Sequence, residues 1–217
     1  MNLKILYDNE ARQGFEARWG FSCLLEFEDE NILFDTGWDG SVLLSNMGKF
    51  GIKPDDIDRI VLSHAHWDHI GGLHHVKKQG MEIYVPESFS SRMRGELASL
   101  FKLHEVSKSQ KIREGVWTTG ELGKDIPEQS LAVETSKGIV VIVGCSHPGI
   151  REIFSAASKF GKIWGVIGGM HGFDDYELLE DLGMIVATHC TVNKEKIAEM
   201  FPKTYLAGGA GMELSLE

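Results

Sequence analysis

The 217-residue sequence predicts an α/β fold, organised as one domain over residues 1–217. Three features carry that expectation. Residues 1–35 hold three short apolar runs rich in β-branched and aromatic residues. Residues 131–206 alternate such runs with stretches whose apolar residues recur at helical spacing. Several of the runs stop at turns that carry histidine, above all in Arg59–Leu73, RIVLSHAHWDHIGGL.

Taken in order, Leu3–Tyr7 is a first strand, followed by a polar loop over residues 10–20. Phe21–Glu28 and Asn31–Asp35 form a hairpin around the acidic tip Glu28-Asp29-Glu30. A helix over about residues 40–50 presents Val42, Leu43 and Met47 on one face, and Pro54 suits the first position of a helical turn. Ile60-Val61-Leu62 has the length and branching of a buried strand; a helix at 73–78 and a strand at Met81–Pro86 follow. Residues 86–130 show the least pattern: one or two helices over 88–103, a strand at 116–120, and a polar loop at 123–129. A long segment of this kind in a compact domain is often a lid, so this one is expected to cover the substrate. The hairpin Leu131–Glu134/Ile139–Val143 comes next, then a helix with Ile150, Ile153, Phe154 and Ala157 at helical spacing. The chain ends with strand Lys162–Ile167, helix Tyr176–Leu182, strand Met184–Ala187, helix Lys194–Met200 and a short strand Thr204–Leu206.

Composition narrows the function classes. Twenty-two basic and 32 acidic residues leave a formal charge of −10, which disfavours nucleic acid and anionic membrane surfaces as partners. No apolar run approaches the ~20 residues a membrane helix needs, and MNLKILYDNE has no signal-peptide pattern. Three widely spaced cysteines, Cys23, Cys145 and Cys190, suggest no disulfide framework, so a reducing cytoplasm is the expected location.

Six of the nine histidines stand at the ends of predicted strands: His64, His66, His69, His147, His171 and His189. In an extended segment residues two apart point the same way, so His64, His66 and Asp68 converge, and His69 follows as the chain turns into a helix. Four ligand-type residues within six positions form a metal-binding pattern, and imidazoles with one carboxylate suit one or two divalent ions. Zinc is the expected metal, with iron and manganese as alternatives. His74, His75 and His104 lie on a helix or in the unpatterned segment and are expected to be ordinary histidines.

H-x-H-x-D-H after an apolar strand resembles the signature of the metallo-β-lactamase fold, and ILFDTG resembles that family's strand ending in a supporting aspartate. The resemblance implies a four-layer αββα sandwich. It implies His64, His66 and His147 as ligands of a first metal, Asp68, His69 and His189 as ligands of a second, and Asp35 as the partner that orients ligands. WGFSCLLEF, GCSHPGI, GGMH and THCT further resemble the dihydropterin-type branch, whose named member joins a dihydropterin-methyl diphosphate to ribofuranosyl-aminobenzene phosphate. One departure stands out: the strand that resembles the family's bridging-aspartate strand ends Gly144-Cys145. Cys145 is then either a soft ligand or a small buried residue, and one metal is expected to be held more tightly than the other.

These readings imply a metal-dependent hydrolase or transferase acting on a small phosphorylated or ester-type metabolite, with a pterin-like diphosphate among the candidates. Asp68 is the expected water-orienting residue. His171 is a substrate contact or a proton donor beside the metals, or else a histidine hydrogen-bonded in its glycine turn. The rival from another class is a non-catalytic, metal-dependent small-ligand sensor. The triplet Asp35-Thr36-Gly37 also matches an aspartic-protease motif, but that enzyme needs two and the chain has one.

Overall fold

The computed structural model describes all 217 residues. In chain order its main elements are β1 (Asn2–Tyr7), β2 (Ser22–Glu26), β3 (Asn31–Phe34), α1 (Gly40–Lys49), β4 (Arg59–Val61), α2 (Trp67–Ile70), α3 (Leu73–Val76) and β5 (Glu82–Pro86). Next come α4 (Ser91–Leu100), β6 (Lys102–Val106), β7 (Gln110–Arg113), β8 (Val116–Thr118), β9 (Leu131–Thr135) and β10 (Gly138–Val143). The last are α5 (Ile150–Ala157), β11 (Ile163–Gly169), β12 (Met184–Thr188), α6 (Lys194–Met200) and β13 (Glu213–Ser215). The chain divides into two compact units, Met1–Val106 with Gly209–Leu216, and Ser107–Gly208 with Glu217.

The first unit is built on a seven-stranded sheet of order β13-β1-β2-β3-β4-β5-β6. Its β13, β1, β2 and β3 pair antiparallel, whereas β3 through β6 run parallel. The face of α1 read from the sequence is the buried one: Val42, Leu43 and Met47 join Leu24, Leu33, Ile60 and Ile83 in the core of this unit. Asp39 caps α1 by accepting from the Ser41 N–H at 2.8 Å.

The second unit carries a six-stranded sheet of order β12-β11-β10-β9-β8-β7, parallel from β10 to β12 and antiparallel elsewhere. Val140, Val141, Ile142 and Val143 are buried without alternation, as expected of a strand covered on both faces. Ile150, Ile153, Phe154 and Ala157 of α5 bury the predicted stripe against Val141, Val143 and Val166.

Three sequence expectations are corrected. The segment 86–130 holds the regular elements α4, β6, β7 and β8, and residues 102–103, expected at the end of a helix, belong to strand β6. The predicted last strand at 204–206 makes only an isolated bridge, Tyr205 to Ile185, and the true C-terminal strand is β13 beside β1. Tyr176–Leu179 is a 3₁₀ turn in place of the predicted helix. Strands β6, β7 and β13 close sheet edges, and their exposed polar residues erase the apolar alternation that marks interior strands.

Candidate metal centre

Every candidate ligand follows the C-terminal end of a parallel strand, the position where open α/β sheets place their chemistry. In the first unit β3 leads to Asp35 and β4 leads to His64; in the second, β10, β11 and β12 lead to His147, His171 and His189. The chain has four non-glycine residues with positive φ, and all lie on these strand ends: Asp35 at 57°, Ser146 at 61°, His171 at 44° and His189 at 47°. Such backbone is held only where surrounding contacts over-determine it, and it clusters at functional sites.

In the first unit a fully buried Asp35 organises the donors. Its Oδ1 accepts from the Ser63 N–H at 2.7 Å, and its Oδ2 accepts from the Ser63 hydroxyl at 2.7 Å and from His69 Nδ1 at 2.6 Å. A carboxylate only accepts, so His69 carries its proton on Nδ1 and presents Nε2 as a lone pair. The Ser63 hydroxyl proton is committed to Asp35, so Ser63 Oγ accepts from His64 Nδ1 at 2.8 Å. His64 Nε2 is therefore also unprotonated, and it stands 3.0 Å from His66 Nδ1. Two nitrogens bound to one tetrahedral zinc at 2.0–2.1 Å would sit roughly 3.3 Å apart. The donor pair fits a divalent ion.

Asp68 accepts from the Trp19 indole N–H at 2.8 Å, and its Oδ2 lies 3.9 Å from His69 Nε2. The two glycines of the motif allow α2 to close on the loop after β3. A Cβ at Gly71 would come within 2.2 Å of the Trp38 carbonyl oxygen, and one at Gly72 within 2.2 Å of that of Thr36. Ala65 and Trp67 alternate with the ligands and line a separate, largely apolar cavity of about 460 Å³ with Leu97 and Phe101.

In the second unit the organising residue is Glu128, which is 1% exposed. It accepts from four successive backbone N–H groups, those of Gly144, Cys145, Ser146 and His147, and from His147 Nδ1 at 2.8 Å. His147 Nε2 lies 3.1 Å from His171 Nε2. Cys145 is buried, and its sulfur lies within 4.8 Å of the ligand atoms of His189 and Cys190, and within the same distance of those of His147 and His171. Hydrogen bonding with Cys145 draws the Cys190 thiol below the ordinary cysteine range, against the opposing effect of burial. A cavity of about 630 Å³ opens beside His147, lined also by Glu121, Lys124, Ile126 and Pro148.

The first unit thus brings together His64, His66, Asp68 and His69 with Asp35, the carboxylate whose supporting role the resemblance implied. The second brings together His147 and His171, and sets His189 beside Cys145 and Cys190. His74 and His75 are exposed, and His104 stacks on Tyr84 at 4.4 Å. Sequence reasoning missed Ser63, Trp19 and Glu128. Ser63 could have been found as the polar residue abutting the motif. Trp19 opens the WGFSCLLEF stretch already noted, but nothing there pointed to its bond with Asp68; Glu128 lies in a loop without periodicity, and nothing local marks it.

The sequence profile described as the metallo-beta-lactamase superfamily matches residues 20–151, more than half of the chain. The chain belongs to this superfamily. The α/β fold of the metallo-β-lactamase type expected from the resemblance therefore holds. A protein of Methanocaldococcus jannaschii named 7,8-dihydropterin-6-methyl-4-(beta-D-ribofuranosyl)-aminobenzene-5'-phosphate synthase is 30% identical, with 88% of each chain covered. Similarity to the dihydropterin-type branch is thus also observed. A crystal structure described as a metal-dependent hydrolase of the beta-lactamase superfamily superposes with a TM-score of 0.80 at 26% identity, covering 99% of this chain and 98% of the other. The short form of human tRNase Z has the same fold, with a TM-score of 0.70 at 18% identity over the full length of both chains. Members of the superfamily are typically metal-dependent hydrolases that bind divalent ions, often zinc. No helix of this chain is long and apolar enough to cross a membrane.

Proposed function

We propose that this chain is a metal-dependent hydrolase or transferase acting on a small phosphorylated or ester-type metabolite. The observation that carries the reading is the tautomer control exerted by Asp35, which leaves Nε2 of both His64 and His69 unprotonated for a cation. His64, His66 and His147 would hold a first ion and Asp68, His69 and His189 a second, in line with the family pattern. Zinc is the first candidate; iron and manganese suit the same nitrogen and oxygen donors.

When bound, an ion of this kind lowers the pKa of water from ~15.7 to about 7 and offsets charge developing on a leaving oxygen or phosphate. The residues of the chain supply the rest. Asp68, fixed by the Trp19 indole, accepts a proton from the attacking water and aligns it. His171 stands beside His147 as the proton donor to the leaving group, and the cavity at Lys124 and Ile126 receives the substrate body. The 3.1 Å spacing of the His147 and His171 Nε2 atoms also supports a second role for His171, as a further ligand. Similarity to the dihydropterin-type branch makes a pterin-like diphosphate one substrate to try, an aromatic amine in place of water attacking the pterin methylene carbon as diphosphate departs.

The test is elemental analysis of purified protein after mild chelation, followed by a panel of phosphodiesters, lactones, thioesters and pterin diphosphates with zinc restored. One firmly held ion, one weaker ion and turnover of at least one class are expected. Tight ligand binding with no turnover would replace the enzyme by a sensor. In the same assays, His171→Ala with full metal content and reduced turnover assigns the proton donor, loss of metal assigns the ligand, and full retention of both removes His171 from the site.

A further inference from the structure

We propose that Glu128 is the positioning residue for His147: it holds the loop Gly144–His147 and sets the His147 tautomer so that Nε2 is unprotonated. The inference rests on the reading of His147 as a metal ligand, and it adds a residue that neither the motif nor the family pattern supplies.

The geometry is that of an anion in a backbone nest. Oε1 accepts from the N–H groups of Gly144 at 3.0 Å, Cys145 at 2.9 Å and Ser146 at 3.0 Å. Oε2 accepts from the His147 N–H at 3.1 Å and from His147 Nδ1 at 2.8 Å. The positive φ of Ser146 is what turns consecutive N–H groups toward one point. Because a carboxylate cannot donate, Nδ1 must carry the imidazole proton, and Nε2 is left as the lone-pair atom.

Glu128 is itself clamped. Its N–H and carbonyl pair with those of Leu122 at 2.9 Å in both directions, closing residues 122–128 into a loop. That loop also walls the cavity beside His147. The carboxylate that orients the ligand is therefore anchored in the wall of the pocket, and a change in the wall reaches His147 through Glu128. Asp35 performs the same task in the first unit with a shorter side chain, directly for His69 and through the Ser63 hydroxyl for His64.

Glu128→Gln separates tautomer control from mere loop support. Three N–H groups face the Oε1 position, so the amide oxygen takes that place and the NH₂ faces His147 Nδ1 and the His147 backbone N–H, which loses its acceptor. The ring must then accept at Nδ1 and protonate Nε2, which removes the lone pair. Imidazole ¹⁵N NMR of the metal-free protein is expected to show His147 protonated on Nδ1 in wild type and on Nε2 in the variant. Zinc affinity, measured by competition with a chelating dye, is expected to fall about 10–100-fold. His147→Ala is expected to lose at least as much. Wild-type zinc affinity and an unchanged His147 tautomer in a folded Glu128→Gln protein would overturn the proposal. If that variant does not fold, the wild-type spectrum still decides, because a proton on Nε2 of wild-type His147 sinks the idea. Undiminished zinc binding by His147→Ala would instead refute the ligand reading, leaving the tautomer result to judge Glu128 by itself.

Discussion

Replacing Asp35 by Ala should be among the most destabilising single changes in the protein, even with no metal present. The side chain is fully buried and satisfies three donors: the Ser63 N–H, the Ser63 hydroxyl and His69 Nδ1. A buried donor left without an acceptor costs about 1–3 kcal/mol. The hydroxyl can rotate and the imidazole can move its proton to Nε2, so the Ser63 amide is the donor stranded outright, while His69 Nδ1 loses its acceptor and the tautomer control that came with it. Alanine is also poorer than aspartate at a φ of 57°, which adds roughly 1 kcal/mol. The sum is about 4 kcal/mol, a large part of the ~5–15 kcal/mol that holds a typical domain together. Urea unfolding of wild type and Asp35→Ala, both with excess chelator, measures the difference without a contribution from bound ions. Asp35→Gly in parallel isolates the backbone share and should recover about 1 kcal/mol. A difference below ~1 kcal/mol between wild type and Asp35→Ala would mean that the donors find other acceptors and that the network is dispensable.

Two further predictions address other links in the same chain of cause. Gly72→Ala drives a Cβ to 2.2 Å from the Thr36 carbonyl oxygen and should cost about 2–3 kcal/mol in thermal or urea unfolding; Gly48→Ala in α1, with nothing within 4 Å, should be neutral or stabilising by up to ~1 kcal/mol. Glu82 is held down to a pKa of about 2, chiefly by its hydrogen bond from Lys102 and then by Arg59. A depressed folded pKa stabilises above the unfolded value near 4.5, and that stabilisation is lost as pH falls toward 2. The stability gap between wild type and Glu82→Gln should thus be flat from pH 7 to 5, shrink below 4.5, and stay within about 1 kcal/mol because solvent reaches the partly exposed carboxylate and its lysine partner and screens the pair. A gap that grows on acidification would contradict the sign.

How far the fold and the site could be read from residues alone depended on the range of the interactions. H-x-H-x-D-H is local, and alternation in an extended segment suffices to converge its side chains, so its donors stood out at once. Asp35 was legible because it ends an apolar strand in a recognisable ILFDTG. The buried stripes of α1 and α5 followed from 3.6-residue spacing. Glu128 was not legible, because its partners lie 16 to 19 residues away and are mostly backbone N–H groups, which have no residue signature. Strands β6, β7 and β13 were missed for a related reason, since main-chain pairing at a sheet edge constrains side-chain chemistry weakly.

The four left-handed residues at the strand ends bear on how this protein could be adapted to heat. Each holds roughly 1–3 kcal/mol of backbone strain at or beside a candidate ligand of its own unit, not in a dispensable loop. Glycine at any of these positions would release part of it; at Asp35 the lost acceptor outweighs that gain, so selection for thermal resistance alone bears on the other three turns. At His171 and His189 the substitution deletes a candidate ligand or proton donor; at Ser146 it keeps the backbone N–H that grips Glu128 but removes the hydroxyl's 2.7 Å hydrogen bond to the Gly169 carbonyl and loosens the nest. Heat-selected libraries of this chain should therefore accumulate changes at Ser146 first, and the histidines should persist only where turnover is selected as well.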